Sequence, residues 1–196
     1  SSQSAALLAV DGVAIAFFAA GDVIKADAAA AVEALSQRGI ESWLVTGDHQ
    51  PSAELIANAV GIKRENVIAS ATPEAKFEKV RALQSNGSKV LMIGDGVNDA
   101  AALAQADLSI AMGTGTDTAI STADITLMRP QLTSINDALD LSRRTVKTIR
   151  TNLGWAFIYN VIGIPVAAMG LMSPMYAAAA MALSSLFVVT NSLRIR

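Results

Sequence analysis

Hydrophobic and polar positions alternate in short blocks over the first two thirds of this chain, then give way to one long apolar run. Leu7–Val10 and Val13–Phe18 are apolar stretches separated by Asp11-Gly12, a dipeptide that favours a two-residue type I′ turn and predicts a β-hairpin. Asp27–Arg38 predicts an Ala-rich helix with Val32 and Leu35 on one face and Gly39 behind it as a C-cap. Ser42–Thr46 predicts a buried strand, and Pro51–Val60 a helix with Pro51 in its first turn and Gly61 as its stop. Asn66–Ala69 is a further short strand, and Thr72-Pro73-Glu74-Ala75 opens a helix that runs to about Ser85. Ser88–Ile93 is strand-like, Asp99–Gln105 helix-like, and Leu108–Met112 and Ile125–Met128 strand-like again. Strands separated by helices in this rhythm predict βαβ units, an α/β domain with a parallel sheet covered on both faces. Ligands of such sheets bind at the carboxyl ends of the strands.

The pattern changes at Gln131–Arg150, which is amphipathic with Leu132, Ile135, Leu139 and Val146 roughly on one face. From Thr151 to Leu193 there is no Asp, Glu, Lys, Arg or His. That run exceeds one membrane span of about 20 residues, and Met172-Ser173-Pro174 supplies a turn near its middle, so it predicts a transmembrane helical hairpin. Arg143, Arg144, Lys147 and Arg150 flank its first helix and Arg194 and Arg196 its second, which predicts that both open ends are cytoplasmic. The other reading, a buried hairpin in a soluble core, is opposed by the missing charged face that soluble helices of this length normally expose.

Composition refines this picture in three respects. With 15 Lys+Arg against 17 Asp+Glu, the chain lacks the basic surplus of a nucleic-acid binder. With no cysteine it holds no disulfide, thiolate metal site or Cys nucleophile. Its N-terminus has no basic region ahead of an apolar one, so no targeting signal is expected. The chain opens without Met on a hairpin, and the expectation is a piece of a longer polypeptide.

Candidate chemistry sits at two strand ends. Thr46-Gly47-Asp48 closes one strand, and Gly94-Asp95-Gly96-Val97-Asn98-Asp99 closes another and leads into Ala100–Leu103. Two carboxylates four residues apart in a Gly-rich loop suit Mg²⁺, which takes one or two carboxylates plus phosphate oxygens and water. Asn98 and the loop amides are donors for a phosphoryl group, Thr46 is a second donor, and Lys76 is a point charge for the same anion.

These segments, together with Pro73-Glu74-Ala75-Lys76, resemble the second half of the phosphorylation domain of P-type ATPases, which has the haloacid-dehalogenase-like (Rossmann-like) fold. The resemblance implies that Asp95 is a Mg²⁺ ligand, with Asn98 and Asp99 supporting the phosphate site and Asp99 counted with Asp95 as Mg²⁺-binding. It further implies that Thr46, with Gly47 and Asp48, holds the transferred phosphoryl group and that Lys76 neutralises it. Asp22 resembles the family's hinge aspartate, although Val23-Ile24-Lys25-Ala26 lacks the Pro often found there. His49 stands where Asn is more common and is given no role. ATP, on this resemblance, is held mainly by a nucleotide domain of which residues 1–20 are the terminal hairpin. Residues 21–137 would be phosphorylation domain, and 138–196 a coupling helix with two membrane helices. The family's nucleophile is the Asp of Asp-Lys-Thr-Gly-Thr, and no Asp here is followed by Lys-Thr-Gly, nor does the dephosphorylation domain's Thr-Gly-Glu occur. Covalent catalysis needs its nucleophile, so the chain by itself is expected to form no aspartyl phosphate.

The apolar run addresses the ion. Tyr159-Asn160 lies about 15 Å past Arg150 and Met181 about 20 Å from Arg194 at the helical rise, which puts both near mid-bilayer. Met181 and Ser185 share a helix face, and Pro165 leaves the carbonyl of Val161 without its usual donor beside Asn160. A thioether, an amide and a phenol without nearby charge form a soft, neutral set that selects Cu(I), with Ag(I) equally suited. Met also fills apolar cores, and that is the competing reading of Met181. Tyr159-Asn160 with Met181 and Ser185 resembles the last two membrane helices of copper-transporting heavy-metal P-type ATPases, which pair them with a Cys-Pro-Cys helix not contained here. The partners implied are the rest of a pump, membrane lipid and the copper ion. A free-standing membrane-anchored module that senses phosphate and Mg²⁺ without turnover is the alternative.

Overall fold

The computed structural model describes residues 4–20, 23–129, 131–171 and 173–194; the Asp22, Met172 and Arg196 readings lie outside them. The chain divides into two compact units at Asn136/Asp137.

In the first unit, β1 (Ser4–Val10) and β2 (Val13–Ala20) form the expected antiparallel hairpin. Asp11 and Gly12 both take positive φ, 50° and 79°, which is what a type I′ turn requires of its two central residues. An irregularity between Leu8 and Ala9 leaves Ile15 without an opposite partner.

Next come α1 (Ala28–Gln37), the parallel pair β3 (Leu44–Val45) and β4 (Val67–Ile68), with α2 (Gln50–Val60) between them, and α3 (Pro73–Ser85). The core face of α1 is Ala28, Ala31 and Leu35, with Val32 only half-buried. Gly61 ends α2 with φ 82°, a left-handed C-cap that a side chain would strain. Thr72 caps α3 by accepting a hydrogen bond from the Ala75 amide at 3.2 Å, with Pro73 at the first helical position. Both strands are shorter than the apolar runs predicted. Asn66, expected in the strand, sits in a 3₁₀ turn over Arg64–Asn66, where its amide donates to the Glu41 carboxylate and the Ser42 carbonyl.

A second parallel sheet has the order β5–β6–β7, with β5 (Leu91–Gly94), β6 (Leu108–Met112) and β7 (Ile125–Leu127). Between its strands run α4 (Ala100–Gln105) and α5 (Asp117–Thr122). The sequence reading contained no helix at α5; Thr116 caps it through the Ala119 amide at 3.3 Å. Leu103, Ala111 and Ala119 form the core beneath, with Met92, Ile120 and Ala123 against it. Ser109, inside β6, donates from both N and Oγ to the Asp124 carboxylate at 2.9 and 2.8 Å, and the Asp124 amide returns a bond to Ser109 Oγ. That exchange pins the β6–β7 edge and, led by the Ser109 hydroxyl, lowers the Asp124 pKa below its ordinary value.

α6 (Ser134–Ala168) begins in the first unit and runs unbroken through the amphipathic segment, the basic residues and the first apolar span. The expected coupling helix and first span are therefore one element. Gly170, φ 72°, ends it, and the Gly170 and Leu171 amides bond back to the Ala167 and Val166 carbonyls, a Schellman stop placed ahead of the predicted turn. Ser173 then caps α7 (Pro174–Ser192). Both α6 and α7 are long and apolar enough to cross a membrane.

Candidate functional site

The two phosphate-type loops are tied together through α3. Thr46, half-buried at the end of β3, donates its amide to the Ile68 carbonyl and accepts the Ala71 amide at 2.9 Å. Asp48 accepts the Ser70 amide on its carbonyl at 2.7 Å and donates its own amide to Thr46 Oγ1 at 3.1 Å, which fixes the hydroxyl. Ala71 leads straight into the Thr72 cap, and one turn into α3 the Lys76 ammonium donates to Asp99 Oδ1 at 2.7 Å. The Lys76 and Asp99 side chains are 14% and 11% exposed, so the pair is largely desolvated and strongly directional.

Asp99 ends the 3₁₀ turn Val97–Asp99, and its second oxygen accepts the Gly96 amide at 3.3 Å. Both Asp99 oxygens are thus engaged inside the protein, whereas Asp95 and Asn98 stand exposed on the loop. The Asp95 backbone is held instead: its carbonyl accepts the Thr116 amide at 2.8 Å. Gly115 packs against it so closely that a Cβ there would lie 2.7 Å from the Asp95 carbonyl oxygen and 2.9 Å from that of Met112. Sequence reasoning passed over Gly113-Thr114-Gly115-Thr116. Its signal was a Gly-rich loop at the end of a strand beside the Asp95 strand, the place where open α/β sheets build sites.

No cluster of three or more His, Cys, Asp or Glu side chains that could hold a metal occurs among the described residues. Mg²⁺ binding through one or two carboxylates plus phosphate and water needs no such cluster, so a loop presenting Asp95 fits that ion.

β3 pairs only with β4 and β5 only with β6 among the described residues, so each keeps one unpaired edge. These are the two strands whose ends carry Thr46-Gly47-Asp48 and Asp95.

In the second unit, α6 and α7 run antiparallel along a seam of half-buried positions spaced by three and four. They are Asn152, Ala156, Tyr159, Gly163 and Val166 on α6, and Ala177, Ala180, Ser184, Val188 and Asn191 on α7. Asn152 accepts from Asn191 Nδ2 at 2.7 Å and donates to Ser192 Oγ at 2.9 Å. Trp155 and Phe187 meet edge to face at 5.5 Å between ring centroids. The Tyr159 hydroxyl donates to the Ala177 carbonyl at 3.4 Å, so this candidate ligand is engaged by the partner helix backbone. Asn160, Met181 and Ser185 each follow a seam position and are exposed. In an antiparallel pair of right-handed helices, the positions that follow the seam fall on the same side. At the helical rise Ser185, Asn160 and Met181 lie about 9, 12 and 15 Å beyond the asparagine pair, so the amide is level with the gap between hydroxyl and thioether.

Comparison with known proteins agrees with this geometry. Residues 2–107 match a haloacid dehalogenase-like hydrolase family model, and residues 77–139 match a second of the same description. The chain is 49% identical over 98% of its length to a probable copper-importing P-type ATPase A of Enterococcus hirae, of which it covers 26%. It is 50% identical over 99% of its length to a probable copper-exporting P-type ATPase V of Mycobacterium tuberculosis, covering 25%. The crystal structure of a zinc-transporting PIB-type ATPase in the E2.Pi state superposes with a TM-score of 0.86 at 31% identity, over 99% of this chain and 32% of that one. The chain spans about a quarter of the length of the curated relatives it matches.

Proposed function

The chain belongs to the haloacid dehalogenase-like hydrolase family, and from that premise we propose that it is the C-terminal part of an ATP-driven membrane pump for Cu(I) or Ag(I). One observation carries the reading: the loop-bearing strands β3 and β5 each keep an unpaired edge, while α3 ties their ends together through the Ala71 amide and the Lys76–Asp99 pair. A strand from elsewhere in the pump, inserted between them, would bring its C-terminal residue between Thr46 and Asp95. A nucleophilic aspartate belongs there, and none within this chain follows the family's motif.

In this reading Asp95 is the carboxylate that this chain offers to Mg²⁺, and the ion's chemistry is to neutralise charge on the phosphoryl oxygens. Asp99, with both oxygens engaged, orients Lys76 and closes the loop onto the Gly96 amide. Lys76 holds a positive charge beside the anion, and the Thr46 hydroxyl, fixed by the Asp48 amide, donates to it. Gly47 and Asp48 set the turn, and Asn98, exposed on the loop, is a further donor.

The ion is assigned from the membrane side. Asn160, Met181 and Ser185 offer an amide, a thioether and a hydroxyl on one flank of the hairpin, with Tyr159 in the seam beside them. A Zn²⁺ site would call for a carboxylate or Lys, and none lies between Thr151 and Leu193. The relatives include one named as importing and one named as exporting copper at nearly equal identity, so direction of transport is not assigned. The Arg and Lys residues that flank both open ends of the hairpin support a cytoplasmic position for those ends.

The test is Asp95→Asn in a full-length pump carrying this segment. Mg²⁺-dependent phosphoenzyme should fall below detection while the protein stays in the membrane; normal phosphoenzyme levels would remove Asp95 from the metal site. Stimulation of ATP hydrolysis by Zn²⁺ but not by Cu(I) or Ag(I) would overturn the ion assignment.

A further inference from the structure

The α6–α7 seam is built from residues that specify register poorly. On α7 its half-buried positions are Ala177, Ala180, Ser184, Val188 and Asn191, and on α6 Tyr159 stands between the small residues Ala156 and Gly163. Small side chains make shallow knobs, and in a membrane there is no hydrophobic drive between helices to choose one alignment over another. A slip by one turn would move one helix by about 5.4 Å and present a similar surface. Trp155 against Phe187 fixes little by itself, because both rings are about half exposed, 52% and 40%, and can follow a slipped partner.

Two layers of the seam carry hydrogen bonds between the helices; the Tyr159 hydroxyl meets a backbone carbonyl, that of Ala177, of a kind a slipped helix offers again one turn on, and only the asparagine layer pairs side chain with side chain. Asn152 both accepts from Asn191 and donates to Ser192, at 2.7 and 2.9 Å. A one-turn slip would set Asn152 against Val188 or beyond the end of α7, and both side-chain hydrogen bonds would be lost together. A single polar residue in an otherwise apolar seam is a known means of selecting register.

We propose that Asn152, Asn191 and Ser192 form a register clasp and are positioning residues for the ion site deeper in the hairpin. Their consequence is geometric: the clasp holds Asn160 level with the gap between Ser185 and Met181, and a one-turn slip would carry the amide past one or the other. The positional role for the ion rests on the proposed transport function; the register role does not.

The test measures register directly. The chain has no cysteine, so Leu153→Cys with Met175→Cys, both exposed positions and about 22 Å apart along the axis at the helical rise, takes two spin labels and nothing else. In the full 196-residue chain, reconstituted in phosphatidylcholine nanodiscs, pulsed electron–electron resonance should give one narrow distance. Adding Asn152→Ala and Asn191→Ala should broaden it or add a population shifted by about 5 Å. Carbonate-resistant membrane association, unchanged in the variant, separates loss of register from loss of insertion. Asn191→Gln, which keeps an amide, should retain a larger share of the narrow distance than Asn191→Ala. An unshifted narrow distance in the double alanine variant would overturn the clasp. In a full-length pump the same two substitutions should raise the Cu(I) concentration for half-stimulation of ATP hydrolysis roughly 8-fold, at about 0.6 kcal/mol for each interhelical bond lost. If register changes but Cu(I) half-stimulation does not, the clasp stands and its role in positioning the ion site fails.

Discussion

Gly115→Ala isolates the contribution of a loop that lies outside the recognisable phosphate motifs. An ideal Cβ at Gly115 would stand 2.7 Å from the Asp95 carbonyl oxygen, 2.9 Å from that of Met112 and 3.0 Å from Asp95 Cα. Ordinary contact begins near 3.4 Å, so something must move by about 0.7 Å, and every neighbour is backbone. The Gly115 amide is bonded to the Met112 carbonyl and the Thr116 amide to the Asp95 carbonyl, both at 2.8 Å, so neither side of the contact is loose. Overpacking of this kind destabilises by about 1–3 kcal/mol. Displacing Asp95 by most of an ångström should also weaken chemistry at its carboxylate by roughly 10- to 100-fold. The matched control is Gly96→Ala, inside the motif itself, where the nearest atom to a Cβ is Asp99 Oδ2 at 3.6 Å. Gly96 has φ −105°, which any residue adopts, so the stability of that variant should stay within about 0.5 kcal/mol of the parent. Urea denaturation of the detergent-solubilised chain, followed by Trp43 fluorescence in a Trp155→Phe background, measures stability. The Mg²⁺ dependence of phosphorylation in a full-length pump measures the chemistry. Equal stability of the two glycine variants would refute the packing argument, and unchanged Mg²⁺ dependence in Gly115→Ala would refute the link to Asp95.

Three further outcomes are expected. Lys76→Met leaves the Asp99 carboxylate almost buried without its cation and should destabilise the first unit by about 3–5 kcal/mol, much of it restored by adding Asp99→Leu; a double variant no more stable than Lys76→Met would argue against the pair. Asp124 has its pKa lowered by Ser109, so its contribution is whole above the ordinary value of 3.8 and fades as pH falls below it; Asp124→Asn should flatten the acid limb of urea stability, and an unchanged slope would assign that limb elsewhere. Met181→Ala should lower Cu(I) affinity and transport in a full-length pump while the urea stability of the first unit is unchanged; unaltered Cu(I) handling would leave Met181 as a packing residue.

Much of this protein was legible in the order of its residues because the deciding interactions are local. Asp11-Gly12 specifies its own turn, Thr72-Pro73 starts a helix and Gly61 stops one through backbone preferences that need no distant partner. A charge-free run longer than one bilayer crossing likewise declares its environment by solvation alone. The strand ends carrying Thr46-Gly47-Asp48 and Gly94–Asp99 followed from the βαβ rhythm, since the carboxyl edge of a parallel sheet is where its loops open.

Tertiary structure decided what depends on distant atoms meeting. No spacing in the chain shows that both Asp99 oxygens are spent on Lys76 and the Gly96 amide, leaving Asp95 as the exposed carboxylate. Nor does it show that Gly115 is held against the Asp95 backbone. Asn66 reads as strand by pattern, yet partners 24 and 25 residues earlier, Ser42 and Glu41, draw it into a buried turn. The amphipathic segment and the first apolar span follow one another directly in the sequence, and because an α-helix needs only its own i to i+4 bonds to continue, α6 carries both as one element. The hairpin shows the division most plainly: composition puts two helices in a membrane, and it takes the contacts of Asn152 with Asn191 and Ser192, of Tyr159 with the Ala177 carbonyl and of Trp155 with Phe187 to show which faces which, because small apolar side chains do not discriminate between neighbouring registers.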